Sequence, residues 1–351
     1  MRLFNSIILF LIYSFCYSQI PPYYSSIDFT QSSSSIEIQL TNLISNTHTS
    51  FFPYTSDNTD TWDILNLSDE VISNPTSVYL VYGYDDNDSD SENDYTRDKS
   101  LSCHISGCSG LWNREHVFAR SLASPSLSVS VAGSGTDVHN LRACDGDMNS
   151  SRSNRLFAEG IGFSHITSDG NWYPGDEWRG DVARIIMYMH LRYNNQCSAN
   201  NTAFSNNTYN IDMPDIFLLW NINDPVSSLE IQRNNIIQSF QGNRNPFIDN
   251  PYLATLIWGG SPATDTWGAL SVENLNKLEV SIYPTLVDDI IFIQNDTNKK
   301  LSYHIYNVTG QLVSQSTKSN HEIDVSSLES GLHFLKLSNN ENSVIYKFLK
   351  K

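Results

Sequence analysis

Leu-Trp-Asn-Arg-Glu-His (residues 111–116) and Asp-Val-His-Asn-Leu-Arg-Ala-Cys-Asp-Gly-Asp-Met-Asn (residues 137–149) are two short polar clusters close together in this chain. Glu115 offers a carboxylate and Asn149 a carboxamide oxygen, and both suit a hard divalent cation that keeps several of its own waters. His116 follows directly, and its side chain can accept a proton near neutral pH. Together the three residues predict a one-metal site that hydrolyses a phosphodiester.

The geometry of strands and helices limits where Glu115, His116 and Asn149 can lie if they form one site. Glu115 and His116 would point to opposite faces if both lay inside a strand. We therefore expect the pair at a strand end or in a loop, with Asn149 on the helix that follows a strand pair. Arg152 lies one helical turn beyond Asn149 and is a candidate to hold the phosphate or to neutralise the transition state.

Five stretches, in order, resemble the secreted and periplasmic bacterial nucleases of the endonuclease I type. They are WNREHVFARS (112–121), DVHNLRACDGDMNSSRSN (137–154), WRGDVARIIMYMHLRY (178–193), LLWNINDPVSSLEIQRNN (218–235) and QGNRNPFID (241–249). The resemblance implies an α+β domain with the ββα-metal (His-Me finger) fold at its active site. It also implies that Glu115 and Asn149 bind Mg²⁺ or Mn²⁺ and that His116 is the general base.

Six further residues in these stretches are candidates for substrate binding: His139, Asn140, Arg142, Arg184, Asn243 and Arg244. His139 could instead hydrogen-bond a backbone carbonyl and orient its loop. Arg184 shares a helical stripe with Tyr188 and Arg192, and this stripe could face a phosphate or belong to a core helix with snorkelling arginines. Asn243, Arg244 and Asn245 could line a DNA groove, or Asn-Pro-Phe (245–247) could form a tight turn that docks the last helix.

The net charge of −17 is unfavourable for binding a polyanion, but the charge is unevenly distributed along the chain. Residues 19–96 hold 13 acidic residues and no Lys or Arg, whereas residues 97–250 hold 12 basic and 15 acidic residues. Eleven of those 12 bases are Arg, the bidentate phosphate binder. The stretch with the motifs is therefore nearly neutral, and we expect weak affinity that depends strongly on salt and divalent ions.

The N-terminus predicts export. Residues 1–18 combine one Arg, a short apolar run and a small residue at the exit, as in a secretory signal, and the apolar run is too short to span a bilayer. Cys16 suggests a lipoprotein anchor as an alternative, but Phe15 is a poor fit to the small residue required there. No later segment is long and apolar enough to cross a membrane, so we expect a secreted protein.

The cysteines fit an exported protein, in which disulfides are favoured over free thiols. Removing the signal leaves Cys103, Cys108, Cys144 and Cys197, which allow three pairings. A bridge between Cys103 and Cys108 would close a tight loop over Gly107, and Cys144–Cys197 would then tie the second motif to a helix end. The alternative is one or two free buried cysteines.

The C-terminal part of the chain predicts a second domain. Residues 251–351 hold 8 Lys and no Arg, and short alternating strands follow residue 280, as in a small β-sandwich. We expect a signal peptide at 1–18, a nuclease domain at 19–260, a linker at 261–276 and an all-β sandwich at 277–351. The alternative for this tail is a carbohydrate-binding sandwich.

This tail also resembles the C-terminal sorting domains of the type IX secretion system. The resemblance rests on SIYPT, IYNVTGQLV, IDVSSLESGLHFLKL and a terminal lysine cluster, and it departs at Thr285, where the family usually has Asn. It implies the type IX export machinery as a partner.

Periodicity predicts the remaining elements. Apolar spacing predicts helices over 36–45, 181–193, 213–217 and 227–240 and a strand over 78–82. The acidic segment 85–98 could be a calcium loop, but Ser89 stands where that loop needs its central Gly, so a solvated loop is favoured.

Three functions compete. The favoured one is a sequence-non-specific DNA nuclease that leaves 5′-phosphate and 3′-hydroxyl ends, acting as a monomer. The second is an extracellular ribonuclease with the same mechanism. The third is a non-catalytic surface binding protein on a nuclease-like fold, which the intact Glu115, His116 and Asn149 disfavour because a binder needs no base beside a metal ligand.

Overall fold

The chain divides into two compact units, residues 1–270 and 271–351. The computed structural model describes residues 20–105, 107–270, 280–295, 301–319, 322–338 and 343–351. The predicted signal peptide and residues 271–276 of the predicted linker lie outside the described residues. The first unit mixes helices and sheets and the second is all-β, which confirms the predicted fold class.

The first unit contains the following elements in chain order. They are α1 (Ser33–Thr47), α2 (Thr61–Ser68), β1 (Glu70–Val71), β2 (Asn74–Tyr79), β3 (Thr96–Asp98), β4 (Trp112–His116), β5 (Leu141–Asp145), α3 (Gly146–Arg152), β6 (His165–Ile166), β7 (Trp172–Tyr173), α4 (Arg179–Tyr193), α5 (Asp215–Asn223), α6 (Ser228–Gln241), α7 (Pro246–Asp249) and α8 (Tyr252–Trp258). The strands form a three-stranded sheet in the order β1-β2-β3 and the antiparallel pairs β4-β5 and β6-β7.

Most helices predicted from periodicity are present. Helix α1 buries Ile36, Leu40 and Ile44, the face that the spacing predicts. Helix α6 begins with a capping box between Ser227 and Glu230, in which each side chain accepts from the other's backbone N–H. The helix predicted at 213–217 instead runs as α5 to residue 223, and the strand predicted at 78–82 ends at residue 79.

Helix α4 lies at the centre of the first unit. Every residue from Gly180 to Leu191 is buried, so its apolar face and the Arg184 and Tyr188 positions of its polar stripe face protein. A helix buried on all sides must pair each of its charged side chains internally. Arg184, the buried arginine of α4, must therefore find its partners inside the protein.

Strands β4 and β5 and helix α3 form the ββα unit that the resemblance predicts. The strands pair antiparallel with Glu115 opposite Arg142 and His116 opposite Leu141. Helix α3 starts directly after β5, where the Asp145 carboxylate accepts from the backbone N–H groups of residues 147 and 148. Glu115 and His116 thus lie at the end of a strand, as predicted.

A disulfide closes the segment before β4. Cys103 and Cys108 are bonded, and a Cβ added to Gly146 would lie only 2.4 Å from Cys108 Cβ, so only glycine fits where α3 begins. The pairing of Cys144 with Cys197 does not form; both are free and buried, and Cys144 Sγ donates to the Val81 carbonyl at 3.4 Å. The alternative of two free buried cysteines is therefore confirmed.

The acidic segment after β2 satisfies its carboxylates with its own backbone. Asp86 accepts from the N–H groups of Tyr95 (2.7 Å) and Thr96 (2.9 Å), and Asp88 accepts from the N–H of Asp90 (2.7 Å). Residues 86–91 of the segment are exposed. These contacts fit the solvated loop that the sequence favours.

The second unit consists of two sheets that share one apolar core. Its strands are β8 (Val280–Tyr283), β9 (Leu286–Val287), β10 (Ile290–Asn295), β11 (Leu301–Asn307), β12 (Leu312–Ser319), β13 (Glu322–Asp324), β14 (Gly331–Ser338) and β15 (Ser343–Lys350). One sheet has the order β13-β10-β8 and the other β12-β11-β14-β15-β9, with β15 and β9 parallel. Ile291, Ile305 and Leu335 are fully buried between them. In neither unit does a described helix combine the length and hydrophobicity needed to cross a membrane.

A buried carboxylate, Asp69, anchors β5 in the first unit. It accepts from the backbone N–H of Ala143 at 2.7 Å, lies 3.5 Å from Arg142 Nε and contacts Arg233 Nη1. Asp69 and Arg142 are fully buried and Arg233 nearly so. The strand that precedes α3 therefore depends on a three-residue ion cluster.

Asp69→Ala should lower the free energy of unfolding by about 3–5 kcal/mol, because it leaves two buried guanidinium groups without their shared partner. Urea unfolding followed by circular dichroism measures the loss. The control is Glu70→Ala, whose carboxylate pairs at 2.5 Å with the partly exposed Lys99 and should contribute at most about 1 kcal/mol. Equal losses in the two variants would show that the buried cluster does not anchor β5.

Candidate active site

The end of β4 and the outer face of α3 line one cleft of about 530 Å³. Its lining residues are Arg114, Glu115, His116, Ala119, Arg120, Ser121, Ser126, Asn149, Ser153 and Asn154. Glu115 and His116 come from the strand and Asn149 from the helix. The structure thus brings the predicted base and both predicted metal ligands together.

His116 is held as a neutral imidazole. Its Nε2 lies 2.8 Å from the Gly135 carbonyl oxygen, and because a carbonyl only accepts, Nε2 must donate the proton. Nδ1 is then the nitrogen that can accept a proton. Burial lowers the pKa of His116 to about 4, so the ring is unprotonated at neutral pH, and the Tyr54 ring stacks against it with centroids 5.6 Å apart.

Glu115 is a buried carboxylate, only 2% exposed. Its Oε1 accepts from the Tyr82 hydroxyl at 3.0 Å and forms an ion pair with Arg152 Nε at 3.3 Å. Burial raises the pKa of Glu115 to about 7, and the charge of Arg152 opposes that rise. Since both neighbours contact Oε1, Oε2 is the oxygen left to bind a cation, which would itself favour the ionised carboxylate.

Asn149 presents an oxygen rather than a nitrogen. Its Nδ2 donates to Asn113 Oδ1 at 2.6 Å, which fixes the orientation of the amide and leaves Asn149 Oδ1 as a free acceptor. One carboxylate and one carboxamide oxygen fit a hard divalent cation that keeps several waters. The described part of the chain contains no group of three or more His, Cys, Asp or Glu side chains that could hold a metal ion.

Arg152 does not line the cleft, although it lies on the helix that carries Asn149. Its side chain is fully buried, with Nη1 3.4 Å from the His116 carbonyl and Nη2 2.7 Å from the Val117 carbonyl. A guanidinium in this position cannot reach a phosphate in the cleft. The predicted catalytic contact is replaced by a structural one, which joins α3 to the end of β4.

Arg142 and Arg184 also point into the protein rather than to the substrate. Arg142 Nη1 donates to Asp181 at 2.7 Å, in addition to its contact with Asp69. Arg184 donates to both oxygens of Glu230, at 2.5 Å and 2.8 Å. Both side chains are fully buried, so the phosphate-facing alternative for the α4 stripe is not what the structure shows.

The remaining substrate-binding candidates act as internal hydrogen-bonding groups. His139 is buried, and its Nε2 lies 3.4 Å from the Asn243 carbonyl oxygen. This is the contact with a backbone carbonyl that the structural alternative predicts. Asn140 Oδ1 accepts from the Phe118 N–H at 2.7 Å and orders the chain after β4. Asn243 donates to the Tyr188 hydroxyl at 2.6 Å, and Arg244 donates to both oxygens of Asp249 at 2.6 and 2.5 Å.

The sequence did not single out three residues that the structure places at the site. Arg120 is an exposed cation at the cleft, with Nε 2.9 Å from the Leu127 carbonyl, and it lies inside the first matching stretch. Asn113 orients Asn149 from within the same stretch. Tyr82, whose hydroxyl contacts Glu115, lies 33 positions earlier in the chain, and no local sequence pattern indicates this contact.

Two parts of the chain match known families. Residues 32–252 match the Endonuclease I family, and residues 281–351 match the secretion system C-terminal sorting domain. The second match indicates that the protein is secreted.

Three relatives illustrate the similarity of this chain to known proteins. The extracellular ribonucleases of Bacillus amyloliquefaciens and Bacillus subtilis (strain 168) are each 37% identical, over 56% and 57% of this chain and 66% and 67% of their own lengths. An extracellular deoxyribonuclease of Aeromonas hydrophila is 28% identical over 32% of this chain and 49% of its own. This chain thus spans about two thirds of the ribonucleases. Because the family match covers more than half of the chain and contains the whole ββα unit, the chain belongs to the Endonuclease I family of nucleases.

Proposed function

We propose that this protein is a secreted, divalent-metal-dependent nuclease that hydrolyses DNA without sequence specificity and leaves 5′-phosphate and 3′-hydroxyl ends. One observation carries the proposal: a single cleft holds the neutral imidazole of His116 beside the Glu115 carboxylate and the Asn149 carboxamide. The cation would be Mg²⁺ or Mn²⁺, and the export partner would be the type IX machinery.

His116 performs the proton transfer in this proposal. Nδ1 accepts a proton from the water that attacks phosphorus, while Nε2 keeps its hydrogen bond to the Gly135 carbonyl. That hydrogen bond strengthens when the ring becomes an imidazolium, because a charged donor binds a carbonyl more tightly. The negative charge that a bound phosphate brings to the cleft raises the proton affinity of a ring whose pKa is otherwise about 4.

Glu115 and Asn149 would hold the divalent cation, which supplies neutralisation of charge on the phosphate and the leaving oxygen. Arg120 is placed to contact a phosphate of the substrate strand, because it is exposed at the same cleft. Groups of this kind contact the backbone of a nucleic acid and carry no information about its bases. The composition of the cleft therefore supports cleavage without sequence preference.

RNA is the second candidate substrate. Two relatives that are 37% identical to this chain are named extracellular ribonucleases, whereas a relative named a deoxyribonuclease is 28% identical. Activity gels cast with DNA or with RNA, run with and without EDTA, separate the two substrates. Clearing that EDTA abolishes supports the nuclease, whereas no clearing on either polymer would favour a non-catalytic binding protein.

His116→Ala should reduce turnover by about 10²–10⁴-fold, because it removes the proton acceptor. The measurement is the initial rate of cleavage at saturating Mg²⁺, with circular dichroism to show that the variant is folded. His165→Ala serves as a matched control, since His165 is exposed and lies outside the cleft. Near wild-type turnover by a folded His116→Ala protein would reject the assignment.

Glu115→Ala and Asn149→Ala should each weaken binding of the cation, so that activity returns in part at high Mg²⁺ or Mn²⁺. Titration calorimetry without nucleic acid measures the affinity directly. Asn154→Ala is the control, because Asn154 lines the same cleft but has no assigned ligand role. Unchanged affinity in both ligand variants would place the ion elsewhere.

A chain of residues 19–276 should fold and digest DNA in vitro, because residues 271–351 form a separate compact unit. In the native host a chain of residues 1–276, which keeps the predicted signal but lacks the sorting domain, should accumulate in the periplasm. Cell fractionation with activity gels tests both parts. Loss of activity in vitro would mean that the tail contributes to the cleft, and normal secretion of the truncated chain would reject the sorting role.

A further inference from the structure

We propose that Tyr82 is a positioning residue that holds the Glu115 carboxylate in the orientation that binds the divalent cation; this inference rests on the proposed role of Glu115 as a metal ligand. The Tyr82 hydroxyl donates to Glu115 Oε1 at 3.0 Å, and both side chains are buried. A donor on one carboxylate oxygen fixes the plane of the carboxylate and leaves the other oxygen for the ion.

The backbone of Tyr82 is strained. Its φ is 74°, in the left-handed region that bulky residues seldom adopt. Glycine would adopt this conformation without strain but would supply no hydroxyl group. Strain of this kind persists where the surroundings enforce it, and it occurs often at functional sites. Here it occurs at a residue whose side chain reaches the predicted metal ligand.

The surroundings of Tyr82 do enforce this conformation. Three hydrogen bonds fix the peptides around it: Ser164 Oγ to the Tyr82 carbonyl (2.7 Å), Trp178 Nε1 to the Gly83 carbonyl (2.8 Å) and the Val81 N–H to the Ala143 carbonyl of β5 (2.8 Å). The Tyr82 ring also packs at 70° against Trp172, with centroids 5.4 Å apart. Because one of these bonds comes from β5, the hydroxyl is held in register with the ββα unit.

Arg152 is the competing explanation for the orientation of Glu115. Its Nε also lies near Oε1, at 3.3 Å, and it carries a full charge. However, that nitrogen makes no hydrogen bond, whereas the tyrosine hydroxyl does. The hydroxyl is therefore the directional side-chain partner of Glu115, beside a backbone hydrogen bond from the adjacent His116. Removing the hydroxyl should give the carboxylate more freedom to rotate even though Arg152 remains.

The test is Tyr82→Phe in the full-length exported chain, which removes the hydroxyl and keeps the ring. Titration calorimetry with Mn²⁺, without nucleic acid, should show an affinity about 10-fold weaker than wild type. Turnover at saturating Mn²⁺ should return close to the wild-type value, because the variant is impaired in holding the ion rather than in proton transfer.

Tyr24→Phe is the matched control. Tyr24 is equally buried, and its hydroxyl donates to Asp249 Oδ2 at 2.5 Å, away from the cleft. It loses the same kind of bond and should bind Mn²⁺ as the wild type does. A general loss of stability would lower the melting temperature of the metal-free protein in both variants but would change Mn²⁺ affinity in neither.

Two more variants separate the possible failures. Glu115→Gln tests the proposed function itself: unchanged Mn²⁺ affinity there would remove the basis for both proposals. Weak binding by Glu115→Gln with wild-type binding by Tyr82→Phe would overturn the role of Tyr82 alone and assign the orientation of the Glu115 carboxylate to Arg152.

If Tyr82→Phe does not fold, Ser164→Ala tests the proposal instead. This variant removes the hydrogen bond to the Tyr82 carbonyl and keeps the Tyr82 hydroxyl. A smaller loss of Mn²⁺ affinity supports the proposal, and no loss rejects it.

Discussion

The guanidinium of Arg152 is the contact on which the cleft depends. It comes from the last residue of α3 and donates to the carbonyl groups of His116 and Val117, and it pairs with the Glu115 carboxylate. One buried cation thus joins the helix that carries Asn149 to the strand end that carries the other two site residues. Without it, two carbonyl groups and a carboxylate would lie in the interior with fewer partners, which is costly.

The same rule governs the other buried charges of the first unit. Arg184 pairs with Glu230, and Arg142 and Arg233 share Asp69, so each cation in the interior faces an acid. Such pairs contribute little net stability compared with apolar packing, but breaking one is strongly destabilising. They therefore specify one arrangement of α4, α6 and β5 around the cleft.

The sequence predicts which residues meet in the cleft better than it predicts their surroundings, and the reason is sequence distance. Glu115 and His116 are adjacent, and Asn149 follows on the helix after the paired strand, so local rules suffice to bring them together. The partner of Arg184 is Glu230, 46 positions later, and only the fold shows that this pairing removes the arginine from solvent. A polar residue in a matching stretch can contact substrate or pair inside the protein, which is why the burial of Arg142 did not follow from the motifs.

Tyr82 shows a second limit of local reasoning. The continuous run of apolar and aromatic residues at 78–82 favours a strand through residue 82, but β2 ends at residue 79 and the chain then turns through a tyrosine of positive φ. Strand propensity describes an average half-buried surface. At this position, contacts from β5 and from Ser164 and Trp178 override that propensity and direct the side chain at Glu115.

The net charge of the chain limits how strongly the cleft can attract a nucleic acid. The internal pairing of Arg142, Arg152 and Arg184 removes three cations that a count of residues would assign to substrate binding. Arg114 and Arg120 are the cations among the residues that line the cleft, in a chain of net charge −17. Long-range attraction is therefore weak, and approach of a phosphate must depend on short-range contacts. A cation held by Glu115 and Asn149 would then serve binding as well as chemistry, which makes the orientation of those two ligands the property that the surrounding fold has to maintain.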